Sequence, residues 1–484
     1  MKYVPRTKPF KHQSRATIAA VRQRNHAVFF EPRLGKTKVA LDYSGVLALK
    51  GELKRVLVIA PRIALDVWKT EIHKHYPFDY HAETFDEEWG PGLVYPRASI
   101  VMPWAPMQFF LAGREETFRV TRRAGKLQRP KQRELEEWCP DAIIIDESHE
   151  YKRPGGRGAQ DCWRLVRRLR HQRQDGRPYV LLLTGTPSAK GWRDIFAQFR
   201  IMDDSLLGTN ASLFDEKHCV YGQGPRKYTI IRYRNISKLQ SIIDAHSTSC
   251  TAEAAGLAGK ISFQILRFDL PPRIRKAYDD LAENFVTEVD GELVTAANVG
   301  VKRLRLLQIT SGFLTSGRRL HRGKIDTAGA YLELLAQQKE NVVVYARFTA
   351  EVDAVAEAAR KSKFDVRVVD GRTSHRDRAE ALRWFGVGRS AKPRAIVFQY
   401  QAGSRAIELT AAAEVVFLSL PDGWVDFWQC LNRVRGPNQK RPVRITAICG
   451  RGTVDLSVLY GLRRKEDIHR LLMKDPRRFL TGQI

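Results

Sequence analysis

The sequence predicts an α/β protein: two parallel-sheet lobes joined by a largely helical segment. Three observations carry that expectation. Short β-branched runs alternate with helix-like stretches over residues 1–205, the alternation lapses over 206–320, and it resumes over 321–484. The runs are apolar nearly throughout rather than at every second residue, as in strands covered on both faces of a parallel sheet. The 484 residues suffice for two to four domains, and a hydrophobic content of 43% supports buried cores.

In chain order, the first lobe's strands are expected at 26–30 (HAVFF), 55–60 (RVLVIA), 142–147 (AIIIDE) and 179–186 (YVLLLTGT). A helix after the first of these puts Val39, Tyr43, Val46 and Leu47 on one face, against the sheet. The middle segment carries mainly helical or irregular signals, among them PPRIRKAYDDLAENF from Pro271 and VKRLRLLQI from Val301. The second lobe's strands are expected at 341–346, 365–370, 394–400, 415–420 and 444–449. Ligands of such sheets gather at the carboxyl ends of the strands.

Charge narrows the partner. Lys and Arg total 82 against 53 Asp and Glu, a net +29. That excess favours a polyanion and leaves DNA and RNA both open. It is concentrated in two runs: 118–133, which holds no acid, and 152–177, with nine basic residues against Asp161 and Asp175. Either run could instead be a solvated helix face or loop. The six cysteines form no CxxC pair, so neither a zinc site nor a disulfide framework is expected. With no apolar run long enough to span a bilayer and no charged-then-apolar leader, the expectation is a soluble, cytoplasmic protein without a membrane partner.

Two stretches carry chemistry. FFEPRLGKTKVAL, from Phe29, sets Gly35-Lys36-Thr37 between a strand and a helix, the context of a phosphate cradle. There backbone N–H groups face phosphate, Lys36 adds charge near the β and γ groups, and Thr37 can ligate Mg²⁺. AIIIDESHEYK ends a strand in Asp146 and Glu147, one suited to hold Mg²⁺ and the next to polarise water. Adjacent acids at a strand end can also be solvated or cap a helix. His149 and the upstream loop favour the chemical reading.

With these residues the chain resembles superfamily-two helicase-like ATPases, most closely the Swi/Snf-type DNA translocases, from about Phe10 to Leu472. FKHQ resembles the adenine-reading element, with Gln13 as its glutamine. VIAPRIALDVWKTEI is similar to the next box, with Pro61, Trp68 and Glu71 in place. LLLTGTPSAKGWRDIFAQFRI holds the Thr-Gly-Thr-Pro box at Thr184, Gly185, Thr186 and Pro187. In the second lobe, VVDGRTSHRDRAEALRWF resembles the Asp-Gly-x-Thr-Ser segment around Thr373, and the long stretch with Leu409-Thr410-Ala411-Ala412, Trp424 and Gln429 aligns without gaps.

The resemblance implies two RecA-like lobes, ATP and Mg²⁺ as cofactors, and nucleic acid, most of all double-stranded DNA, across both lobes. It implies that Lys36 holds the β and γ phosphates, with Arg33, Leu34 and Gly35 in the same loop, and that Gln13 reads adenine. Thr37 and Asp146 would serve Mg²⁺, and Glu147 would activate water. Pro61, Arg62, Thr184, Gly185, Thr186, Thr373 and Gln429 would touch nucleic acid or couple it to the nucleotide. Two departures stand out. Phe30 and Arg33 occupy positions where the family favours glycine, so Arg33 is expected to keep φ below zero with its side chain outside the cradle. Gly436 stands where a second arginine belongs, leaving Arg433 and Arg435 as alternative arginine fingers, with Arg435 reaching in only if the helix breaks at Gly436. The function expected is an ATP-dependent translocase on duplex DNA, monomeric, from a bacterial or infected-host cytoplasm. A strand-separating DNA or RNA helicase, or a binding module with an inactive ATPase, remain as alternatives.

Overall fold

A computed structural model describes residues 3–85, 107–118, 121–123, 126–128, 130–188, 191–224, 230–256, 261–289, 291–386, 391–400, 409–435, 439 and 441–462. These fall into two compact units that part between Gly256 and Leu257.

The first unit is a seven-stranded parallel sheet. Its strands are β1 (His26–Phe30), β2 (Arg55–Ala60), β3 (His81–Phe85), β4 (Gln108–Gly113), β5 (Ala142–Asp146), β6 (Tyr179–Thr184) and β7 (Ser247–Cys250), in the order β7-β1-β6-β5-β2-β4-β3. Every residue of β1 is buried, which accounts for its unbroken apolar run. Helices α1 (Lys11–Gln23), α2 (Lys36–Leu49), α3 (Leu65–His75), α4 (Arg157–Arg173) and α5 (Arg193–Met202) accompany it. Helix α2 buries Val39, Tyr43 and Leu47 as expected, but also Lys38, Asp42 and Ser44, so it is enclosed on more than one face. A Lys38–Asp42 ion pair one turn apart lets those charges be buried there.

The second unit is a six-stranded parallel sheet: β8 (Ile261–Phe268), β9 (Val342–Ala346), β10 (Asp365–Val369), β11 (Arg394–Gln399), β12 (Glu414–Phe417) and β13 (Val443–Gly450), in the order β8-β13-β12-β9-β11-β10. Its helices include α6 (Pro272–Asn284), α7 (Val299–Ser311), α8 (Gly323–Gln337), α9 (Thr349–Lys361) and α10 (Trp424–Val434).

Parallel α/β lobes are therefore what the chain forms. The stretch 206–320 is less purely helical than expected: besides α6 and α7 it supplies β7 to the first sheet, β8 to the second, and a short hairpin, Val286–Val289 with Glu292–Thr295. Of the four strands of the two large sheets that the periodicity passes over, β3, β7 and β8 lie at sheet edges, and β4 lies next to one. Edge strands are not enclosed on all sides, so nothing forces them to be uniformly apolar. No helix among the described residues is long and apolar enough to cross a membrane. All six cysteines are free, and all but the half-buried Cys139 are buried.

Candidate active site

Strands β1, β6, β5 and β2 are consecutive and parallel, so the segments that follow them open on one edge of the first sheet. After β1 comes the phosphate loop, after β6 Gly185-Thr186-Pro187, after β5 Glu147-Ser148-His149, and after β2 Pro61-Arg62. Four stretches picked out separately in the sequence thus meet through topology alone.

Gly35 precedes α2 in a left-handed conformation, φ 79°. A side chain there would meet the Gln13 amide, because an ideal Cβ falls 2.1 Å from Gln13 Nε2. Glycine is required at Gly35 on both counts. Gln13 itself is buried; its Nε2 donates to Leu34 O at 3.1 Å and its Oε1 accepts from Phe10 N–H at 2.9 Å. It holds the phosphate loop as well as standing near it. His12 Nε2 also lies 3.0 Å from Leu34 O. Lys36 Nζ donates back to Phe30 O at 3.2 Å, which keeps its charge at the end of β1.

Arg33 corrects an expectation. Its φ is +67°, not below zero. The backbone takes the turn that glycine normally supplies, and a residue with a Cβ is strained there by about 1–2 kcal/mol. The loop is positioned by its flanks. Glu31 N–H donates to Cys250 O at 3.0 Å, and Glu31 Oε2 accepts from Ala252 N–H at 2.9 Å.

The carboxylates differ. Asp146 Oδ1 accepts from Glu147 N–H at 2.9 Å and its Oδ2 from the indole N–H of Trp68 on α3 at 3.1 Å. Burial, and after it the neighbouring Glu147 charge, push the Asp146 carboxyl up to about 6, against the opposing pull of Lys36. Glu147 has φ 52° and ψ 48°, a second left-handed non-glycine residue on this edge. Its Oε2 lies 3.1 Å from Nδ1 of the buried His149, which is also 3.0 Å from Thr184 Oγ1. Thr184 Oγ1 accepts in turn from Thr186 N–H at 3.1 Å. The carboxylate turn and the Thr-Gly-Thr-Pro loop are therefore one hydrogen-bonded body. Gly185 belongs to it sterically, since a Cβ there would sit 2.9 Å from Pro32 Cδ of the phosphate loop.

The Thr37 hydroxyl in the first turn of α2 and the Asp146 carboxylate are hard oxygen donors that suit Mg²⁺, an ion that retains several waters when protein-bound. Pro61 caps a short 3₁₀ turn, and the largely exposed Arg62 reaches Glu116 at 3.5 Å.

The second unit holds the other predicted residues. After β10, Asp370 N–H donates to Thr373 Oγ1 at 3.0 Å, so Thr373 shapes that turn. Helix α10 carries Trp424, Gln429 and Arg433, and ends at Val434, one residue before Arg435 and two before Gly436, which lies outside the described residues. Arg435 is extended, with its guanidinium 5.1 Å from the Trp428 ring centroid. Arg433 is 5% exposed, and its Nη1 finds no acceptor among the described residues.

The basic run 152–177 forms α4 and its flanks, and much of its charge is used internally. Arg168 pairs with Glu136, Arg173 with Asp141 and Asp175, and Arg177 with Asp175. Most of the run 118–133 lies outside the described residues. Sequence reasoning passed over Gln198 on α5 and the bonding roles of Trp68 and Ser148, because buried polar partners leave no periodic signal.

Residues 323–436 match the helicase conserved C-terminal domain. The chain is 22% identical over 331 residues, 67% of its length and 40% of the relative's, to a Drosophila melanogaster SWI/SNF-related matrix-associated actin-dependent regulator of chromatin subfamily A-like protein 1. The chain is thus similar to superfamily-two helicase-like ATPases of Swi/Snf type. A Xenopus tropicalis relative of this Swi/Snf group is 24% identical over 65% of the chain and 31% of its own length, and the RNA polymerase-associated protein RapA of Photobacterium profundum is 28% identical over 36% and 16%. The chain thus spans less than half the length of these curated relatives. A Sulfolobus solfataricus SWI2/SNF2 ATPase core in complex with dsDNA aligns over 98% of the chain and 94% of its own, at 19% identity and a TM-score of 0.44.

Proposed function

We propose that this chain is a Swi/Snf-type, ATP- and Mg²⁺-dependent motor that tracks along duplex DNA and remodels DNA or DNA-bound complexes. The observation that carries the reading is the single strand-end edge that sets the phosphate loop beside the hydrogen-bonded carboxylate turn and Thr-Gly-Thr-Pro loop. Phosphates would lie against the backbone N–H groups before α2, with Lys36 leaving Phe30 O for the β and γ oxygens. Thr37 and Asp146 would hold Mg²⁺, which when bound neutralises charge on those oxygens. Glu147, kept near His149, would accept the proton of the attacking water. Gln13 would read adenine while steadying the loop, and Arg433 would supply the transition-state cation.

Support for DNA comes from the net charge of +29 and from relatives named as chromatin regulators and a polymerase-associated protein. We take the motor to be monomeric. Its six free thiols suit a reducing bacterial or infected-host cytoplasm. The test is mechanical. With ATP the chain should displace a third strand from a triplex and open a forked duplex poorly. Efficient fork opening, stimulated better by single strands than by duplex, would make it a strand-separating helicase instead.

A further inference from the structure

Two side chains join the turn after β5 to the loop after β6. One is His149, whose Nδ1 is hydrogen-bonded to Thr184 Oγ1 and lies 3.1 Å from Glu147 Oε2. The other is Gln198, in the middle of α5. The Gln198 side chain is fully buried; its Oε1 accepts from Ser148 Oγ–H at 2.8 Å, and its Nε2 donates to Pro187 O at 2.7 Å and to Asp194 O at 2.9 Å. One amide thus binds the residue after Glu147, the proline that ends the Thr-Gly-Thr-Pro box, and its own helix.

An apolar side chain would fill this place without needing partners, as Ile195, Phe199 and Met202 do along the same helix. A buried amide whose donors and acceptor are all used fixes geometry instead. The turn it holds is strained, because Glu147 sits in a left-handed conformation that costs a non-glycine residue energy and persists only where its surroundings fix it. Helix α5 is buried from Ile195 to Met202, so the amide cannot follow one side without drawing the other.

We propose that Gln198 is a positioning residue that carries movement of the carboxylate turn to the Thr-Gly-Thr-Pro loop, and so couples nucleotide state to grip on DNA. The inference rests on the motor reading above.

Full-length Gln198→Met, Ser148→Ala, the double variant and Ser148→Thr are compared with the parent in two ways. Amide hydrogen exchange over residues 184–188 is followed with and without Mg²⁺-ATP, and triplex displacement is counted per ATP hydrolysed. Addition of nucleotide should change exchange in the parent and in Ser148→Thr, and leave it unmoved in the other three. Displacement per ATP should fall about tenfold in either single variant, and the double should be no worse than the singles. The KM for ATP should move less than about twofold, a split that loss of folded protein would not give. A parent that shows the exchange response but no displacement would overturn the motor reading alone. The coupling role fails if the response persists in Gln198→Met, if the parent gives none, or if the singles add in the double.

Discussion

Strand β5 has a carboxylate at each end, and the two are treated in opposite ways. Asp141, just before it, is saturated: its Oδ2 accepts from Lys54 N–H and Arg55 N–H, each at 2.8 Å, and its Oδ1 lies 2.9 Å from Arg173 and 3.5 Å from Arg177. Asp146, at the far end, has an indole N–H and a backbone N–H, a like charge beside it, and a carboxyl pushed up to about 6. The same contrast runs along both edges. Before the strands, Arg170 donates to Asn25, Pro178 O and Met202 O, and Asn25 accepts from Val180 N–H. After them, Lys36 rests on a carbonyl and Asp146 stands beside the Glu147 charge. One edge of the sheet is arranged for stability. The other keeps charge in reserve for a ligand.

The largest effect expected lies in the second unit, where the contrast recurs between two arginines. Arg433 is buried within α10, whereas Arg435 is half-buried past its end, with its guanidinium over Trp428. Arg433→Ala should lower DNA-stimulated ATPase by about 10³-fold, the scale of a missing arginine finger, and Arg435→Ala far less. Steady-state turnover of the two variants decides it, and full activity in both would remove the assignment.

At the saturated edge, Asp141→Ala should destabilise the fold by about 3 kcal/mol, because two arginines and two backbone N–H groups lose their acceptor. Denaturant melts measure this, and the KM for ATP of the folded fraction should be unchanged. At the opposite edge the pattern reverses: Glu147→Gln should reduce turnover by roughly 10²-fold or more while nucleotide binding and melting stay near the parent. Equal losses of stability at both ends of β5 would erase the distinction.

Asp146 adds a pH signature. Its folded-state carboxyl is raised above the unfolded value, so keeping it ionised opposes folding, fully above pH 6 and progressively less as pH falls from about 6 towards the ordinary carboxyl value. Without Mg²⁺, Asp146→Asn should therefore raise the melting temperature more at pH 8 than at pH 5. A gain that is the same at both values would contradict the burial argument. The smallest effect belongs to Arg33→Gly, which should relieve its positive φ and stabilise the chain by about 1 kcal/mol. Thermal melts detect it, and destabilisation would mean that the side chain's contacts outweigh the strain.

How much of this was legible depends on where each residue sits. Central strands β1, β2, β5 and β6 must be apolar on both faces, so their runs were plain, while β3, β7 and β8 at sheet edges carry no such constraint. Gly35, Lys36, Asp146 and Glu147 were found because phosphate and metal chemistry demands those residue types at those spacings. The φ of Arg33 was misjudged, because the loop's flanks at Cys250 and Ala252 set its path from more than two hundred residues away. Gln198 and Ser148 were invisible for a similar reason: a buried hydrogen bond between distant segments leaves neither period nor motif.

The most direct test is ATP turnover of the parent chain with duplex DNA, single-stranded DNA, RNA and no nucleic acid, using Lys36→Ala as the blank. Turnover should depend on Mg²⁺, be stimulated most by duplex DNA, and vanish in the blank. Turnover by Lys36→Ala at the parent rate, or a parent that hydrolyses no ATP under any of these conditions, would contradict the account.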